Sequence, residues 1–243
     1  MLCRLKLASF LYSLFAFLWS NAIAVPIPSD IKEVVVFIYI EGPKGELVPN
    51  GTGFLVGVEH PRNAERMFPY LVTAKHVLSQ TQDVLLPHVF LKPNGPFLPH
   101  VFLRLEKKSG ALEIIKIPLV PHDAEQNVFL HQDPTVDLAV IPLWLKEDVF
   151  AYKIFPENLI LSQEKFSELN ITEGSDIFFA GLFTPYLGEK KNYPVVRFGH
   201  IALITSEKIN WNGTMMDLYL IETFSYGGNS GAPIFFYPDS SDL

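Results

Sequence analysis

Cysteine is all but missing from this chain: the single one among 243 residues is Cys3. Beyond the first few residues there is therefore no disulfide framework, no cysteine-based zinc site and no thiol nucleophile. Stability has to come from burial, and any nucleophile has to be a hydroxyl. Positive charge is scarce as well, with 19 Lys and Arg against 26 Asp and Glu and a formal net charge of −7. No basic footprint for nucleic acid is present, so no nucleic-acid partner is expected. Only 19% of residues are charged while 49% are hydrophobic, which excludes a disordered chain and supplies a real core. Helical periodicity is also nearly absent, Gln163–Leu169 being the best short candidate.

The chain has an apolar run at its start, but a short one. Arg4 and Lys6 precede an apolar stretch from Leu7 to Leu18, followed by Ser20-Asn21-Ala22-Ile23-Ala24. A membrane span needs about 20 apolar residues. The pattern fits an export signal cleaved after Ala24, with an uncleaved anchor as the alternative. Residues 1–24 are thus expected to be a signal peptide, leaving a secreted or periplasmic chain of residues 25–243 with no stable membrane span. Removing Arg4 and Lys6 takes the formal charge from −7 to −9.

What remains is a series of short runs rich in Val, Ile, Phe and Tyr, punctuated by Gly, Pro and Asn. Val34–Ile40, Gly53–Val58, Tyr70–Thr73, Val101–Leu105, Leu138–Leu143, Asp176–Ala180, Val195–Phe198, Leu218–Ile221 and Pro233–Tyr237 all read as strands. Many short strands predict a sandwich or a barrel, and periodicity does not choose between them. Leu86-Pro87-His88-Val89-Phe90-Leu91 recurs as Leu98-Pro99-His100-Val101-Phe102-Leu103 across a Lys92–Pro96 turn. One repeat is a lengthened hairpin rather than a solenoid, and its paired His88 and His100 read as surface histidines rather than metal ligands. Residues 142–156, of mixed polarity, are the expected linker between an N-terminal unit at about 30–141 and a C-terminal unit at about 157–243. Glycosylation-type sequons stand at Asn50, Asn170 and Asn212.

Three segments carry chemistry. In Leu71-Val72-Thr73-Ala74-Lys75-His76 an apolar strand leads to a histidine at its end, a placement suited to proton transfer near neutral pH. In Asp133-Pro134-Thr135-Val136-Asp137-Leu138-Ala139-Val140-Ile141, Asp137 opens an apolar strand, where a carboxylate needs a partner such as a histidine N–H. Asp133, before a proline, is the rival carboxylate. In Gly227-Gly228-Asn229-Ser230-Gly231-Ala232-Pro233, glycines on both sides of a serine permit a tight turn. Such a turn projects the hydroxyl and aims the Gly228 and Ser230 N–H groups at one point, the geometry of an oxyanion hole.

Together, in the order His, Asp, Ser, these segments resemble the trypsin-like serine peptidases, and most closely their cysteine-free bacterial Deg/Htr-like branch. The resemblance implies an all-β fold of two antiparallel six-stranded β-barrels with the active site between them. It also implies a serine endopeptidase acting on a polypeptide substrate, with His76 as general base, Asp137 orienting it and Ser230 as nucleophile, with no cofactor and no metal. A catalytically impaired member of the same fold, serving as a binding module, is the alternative. By the same resemblance Phe224 falls at the base of a substrate pocket. Asn229 departs from the animal digestive enzymes, whose Asp at this place pairs with a newly cut N-terminal amine. The site here is expected to form without that step. Only 13 residues follow Ser230, where family members continue with a further strand pair. The second barrel is accordingly expected to be truncated and to self-associate through an open strand edge.

Overall fold

The computed structural model describes residues 27–79, 97–119, 127–133, 135–211 and 213–236. Nine strands form the first sheet: β1 (Val35–Glu41), β2 (Leu47–His60), β3 (Asn63–Thr73), β4 (His100–Lys107), β5 (Leu112–Pro118), β6 (Phe129–Leu130), β7 (Ala139–Pro142), β8 (Phe150–Ala151) and β9 (Phe155–Pro156). Its main path runs β5-β4-β1-β2-β3-β7-β6. The second sheet has four strands among the described residues: β10 (Asp176–Gly181), β11 (Val195–Leu203), β14 (Leu220–Thr223) and β15 (Ile234–Phe236), in the order β14-β11-β10-β15. A hairpin of β12 (Ile209–Trp211) and β13 (Thr214–Met216) stands apart from both. Among the described residues, helix is confined to α1 (Asp30–Glu33), α2 (Gln163–Glu168) and two short 3-10 turns. This is the all-β, two-unit antiparallel architecture expected from the sequence.

β1 explains how the two units share one body. Its run Val35-Val36-Phe37-Ile38-Tyr39 is apolar at every position, and alternate side chains must face opposite ways. Val36 and Ile38 enter the core of the first unit with Leu55, Leu71, Leu103 and Ile141. Val35, Phe37 and Tyr39 point the other way and pack with Ala180 and Leu182, at the end of β10. Both faces are therefore buried, which is why the run shows no alternation. A third cluster, Ile171, Ile177 and Ile201, lies within the second unit. A cavity of about 670 Å³ beside it is lined by apolar groups of both sheets, among them Phe54 and Phe155 of the first and Phe178, Ile221 and Phe236 of the second.

Residues 142–156 do more than link the units. β8 pairs with β4 and β9 pairs in parallel with β2, so this stretch is fastened onto the first sheet. Of the duplicated hairpin, Leu86–Leu91 lies outside the described residues, as do residues 1–24, where a signal peptide was expected. The second copy leads into β4, where His100 Nε2 sits 3.4 Å from a Glu41 carboxylate oxygen. Of the sequons, Asn50 is engaged, its side-chain amide donating to the Val77 carbonyl at 2.8 Å, and Asn170 is exposed with φ +51. Asn212 lies outside the described residues.

Candidate active site

β3 runs out at Thr73, Ala74 stays extended, and the chain then tightens into a 3-10 turn over Lys75–Leu78. Val77 and Leu78 are fully buried and anchor that turn in the first core. His76, half-buried, is presented at the sheet end. β7 pairs antiparallel with β3 so that Thr73 faces Ala139. Continuing the same register outward by two residues sets Asp137 opposite Lys75, beside His76. The side chains meet there. One Asp137 oxygen, Oδ1, accepts the His76 backbone N–H at 2.9 Å, and the other, Oδ2, lies 2.5 Å from Nδ1. Two-point contact fixes the carboxylate and places the ring proton on Nδ1, leaving Nε2 as a base. Burial alone would raise the Asp137 carboxyl, but the hydrogen bonds and charge of His76, with Lys75 nearby, outweigh it and hold the group below its ordinary value.

Asp133 is occupied elsewhere. Its Oδ1 accepts the Thr135 N–H at 2.8 Å and hydroxyl at 2.6 Å, and its Oδ2 accepts Lys208 Nζ at 2.6 Å. These partners hold its carboxyl far below the usual carboxylate range. Strand register brings Asp137, the carboxylate expected from the sequence, to His76 and leaves Asp133 capping its own turn.

Ser230 is exposed at the tip of the Gly-rich turn, which is seated on the same end of the first sheet. Gly231 adopts φ +83, and a β-carbon there would stand 2.2 Å from the Thr52 carbonyl oxygen and 2.3 Å from Thr73 Oγ1. Only glycine lets the turn approach so closely. The Ser230 carbonyl accepts the Thr52 N–H at 2.8 Å. Gly228, at φ +99, has its carbonyl held by the Thr52 hydroxyl at 2.7 Å. Among the described residues, no backbone carbonyl takes the Gly228 or the Ser230 N–H, so both stay available to an incoming oxyanion. The Ser230 hydroxyl likewise makes no hydrogen bond to His76 or to any other described residue.

Thr52 is the residue that sequence reading passed over. Fully buried, it donates its N–H to the Ser230 carbonyl and its hydroxyl proton to the Gly228 carbonyl, while its own carbonyl accepts the Thr73 hydroxyl at 2.7 Å and its hydroxyl oxygen accepts the Leu182 N–H at 2.9 Å. One side chain and its peptide thereby join β2, the end of β3, the loop after β10 and the Ser230 turn. The Gly51-Thr52-Gly53 spacing was the available signal, since two glycines around a threonine leave room for close neighbours. Phe224, expected at the base of a pocket, is instead 83% exposed. Tyr226 nearby is also exposed, its ring edge-on to Phe183 at 5.6 Å. Among the described residues no group of three or more metal-ligating side chains occurs, and no helix is long and apolar enough to cross a membrane.

No protein-family model and no curated protein matches the chain. Solved structures do resemble it. The protease domain of MamO from Magnetospirillum magneticum is 14% identical, aligned over 86% of this chain and 80% of its own, with a TM-score of 0.47. Human heparin binding protein is 11% identical over 88% of this chain and 79% of its own, at 0.43. A scabies mite inactivated protease paralogue, S-I1, is 15% identical over 87% and 82%, at 0.44.

Proposed function

We propose that the chain is an exported serine endopeptidase of the trypsin-like kind, nearest the Deg/Htr-like branch, working through Ser230, His76 and Asp137. One observation carries the reading: Asp137 grips His76 at both Nδ1 and the backbone N–H, on the sheet end against which the Ser230 turn is packed. In this scheme His76 Nε2 takes the Ser230 proton as Oγ attacks the scissile carbonyl carbon. The Gly228 and Ser230 N–H groups receive the oxyanion, each such donor being worth about 2.7–4 kcal/mol in comparable sites. His76 then delivers the proton to the leaving amine, giving the acyl-enzyme, and water enters by the reverse sequence. Asp137 steadies the imidazolium without taking its proton. The N-terminal apolar run supports export, and a polypeptide is the substrate.

A second reading, an impaired member of the fold acting as a binding module, is favoured by the unbonded Ser230 hydroxyl and the outward Phe224. Hydrogen bonds in unliganded sites are often longer than in the reacting complex, which tempers that observation. A fluorophosphonate probe separates the two. Wild-type protein is expected to be labelled at Ser230, with labelling abolished by Ser230→Ala and His76→Ala. A folded wild type that is never labelled would establish the binding module.

A further inference from the structure

Arg197 is a cation in an apolar place. It stands in β11 opposite Phe179 of β10 and is only 7% exposed. Its guanidinium lies 5.8, 5.6 and 5.5 Å from the ring centres of Phe179, Phe183 and Tyr226. Among the described residues no carboxylate pairs with it. Burying a charge without a counter-charge is costly, and aromatic faces recover only part of the loss. The side-chain acceptor it does have is Asn229, whose Oδ1 takes Nη1–H at 2.9 Å, with the Val195 carbonyl a longer second contact at 3.3 Å. Asn229 directly precedes Ser230.

The peptide plane that follows Asn229 decides where the Ser230 N–H points. In a trans peptide the N–H lies antiparallel to the preceding carbonyl, so the Ser230 N–H is set by the Asn229 carbonyl. That carbonyl accepts the Ala232 N–H at 2.8 Å. The Gly228–Asn229 plane is held through the Gly228 carbonyl by Thr52. The side chain between these planes is tied at both ends, by Arg197 at Oδ1 and by Ser225 Oγ, which accepts Nδ2–H at 3.2 Å. Thr52 grips the turn from the first sheet. Arg197 grips it from the second.

We infer that Arg197 is a positioning residue, a built-in cation that holds Asn229 and thereby keeps the Ser230 N–H in oxyanion-accepting geometry. The inference rests on the serine-hydrolase reading for its chemical meaning, although the bracing itself does not. It explains how a turn with uncharged Asn229 forms without a freshly cut N-terminal amine: the cation is supplied by β11 from the start. The chain would then be competent as soon as it is folded.

The test uses Arg197→Met, Arg197→Lys, Asn229→Ala and the double variant Arg197→Met/Asn229→Ala. Fluorophosphonate labelling and small-ester kinetics are read beside hydrogen exchange across residues 224–232. Loss of one oxyanion donor costs about 10²–10³ in kcat, and a loosened turn should lose up to that much. Arg197→Met and Asn229→Ala are each expected to lower kcat and labelling in that range with KM little changed. The double variant should lose no more than either single one, and Arg197→Lys should recover part of the rate. Exchange over 224–232 should quicken in both single variants while the β1–β4 amides keep their protection. Wild-type rates and exchange in folded Arg197→Met overturn the proposal, as do additive losses in the double variant. Should Arg197→Met not fold, Asn229→Ala, which leaves the aromatic cage in place, decides by the same criteria. Should the wild type not label at all, the hydrolase reading falls, and exchange alone decides the brace.

Discussion

Thr52→Val isolates the contribution of one buried hydroxyl. Valine fills nearly the same space, and the two backbone bonds of residue 52, to Ser230 and from Thr73, stay intact. What disappears is the proton given to the Gly228 carbonyl at 2.7 Å and the lone pair offered to the Leu182 N–H at 2.9 Å. Leu182 is fully buried, so its N–H has no water to turn to. Leaving a buried polar group unsatisfied costs about 1–3 kcal/mol, so two of them cost about 2–6 kcal/mol. For a domain of this size each kcal/mol shifts Tm by about 2–4 °C, and the variant should melt roughly 10 °C lower. Thr52→Ser keeps both hydrogen bonds and loses only a methyl group, so it should stay near the wild type. Calorimetry and guanidinium denaturation measure the stability, and fluorophosphonate labelling measures the turn. A valine variant melting within about 2 °C of wild type and labelling at the same rate would refute the role given to Thr52.

The remaining predictions concern the two aspartates, the turn glycine and acid stability. Asp137→Asn should slow turnover on the order of 10⁴-fold with binding little changed, because the amide lets the wrong ring tautomer form; steady-state kinetics check this, and an unaffected rate removes Asp137 from the mechanism. The Lys208→Met and Asp133→Asn variants should leave labelling of Ser230 unchanged, since their cluster stands apart from His76. Gly231→Ala cannot be accommodated at φ +83 against the Thr52 carbonyl, so it should abolish labelling and lower Tm, and a normal variant would disprove the close approach. Because the folded-state pKa of Asp137 is lowered, its contribution to stability is complete above its unfolded value of about 3.9 and is lost as pH falls through the lower folded one. Denaturation at pH 7 and pH 3 should therefore show the gap between wild type and Asp137→Asn narrowing in acid; a constant gap contradicts the sign.

The strand content was legible because most strands are half-buried or fully buried and carry their signal in composition. Val34–Ile40 became β1, and Asp176–Ala180 became β10 with one residue added. Gln163–Leu169 holds the short helix α2. β8 and β9 were not legible, since two-residue pairings such as Phe150–Ala151 are created by docking onto an existing sheet and have no period of their own. At the site, the three motifs pointed to His76, Asp137 and Ser230, and strand pairing supplies the geometry that sets Asp137 beside His76. Arg197 could not be singled out from sequence, because its partner Asn229 lies far away along the chain, and for Thr52 the flanking glycines marked close packing without naming the partners. Phe224 shows the converse failure. Counting back from the nucleophile gave it a place that loop geometry assigns to no inward-facing side chain.

The bond between the Thr52 hydroxyl and the Gly228 carbonyl joins residues 176 positions apart, and that distance has a consequence for timing. β1, β2 and β3 are consecutive hairpins whose closure asks little of the chain, whereas the Ser230 turn must find the first sheet across most of the molecule. Secondary structure and the first core should form early in refolding, and the serine turn should lock last. If the chain is the proposed hydrolase, this order would keep it inert toward itself and its neighbours until both sheets have formed. In a refolding experiment, reactivity of Ser230 should lag behind the recovery of the far-ultraviolet signal. Simultaneous recovery would show that the turn is in place from the first collapse.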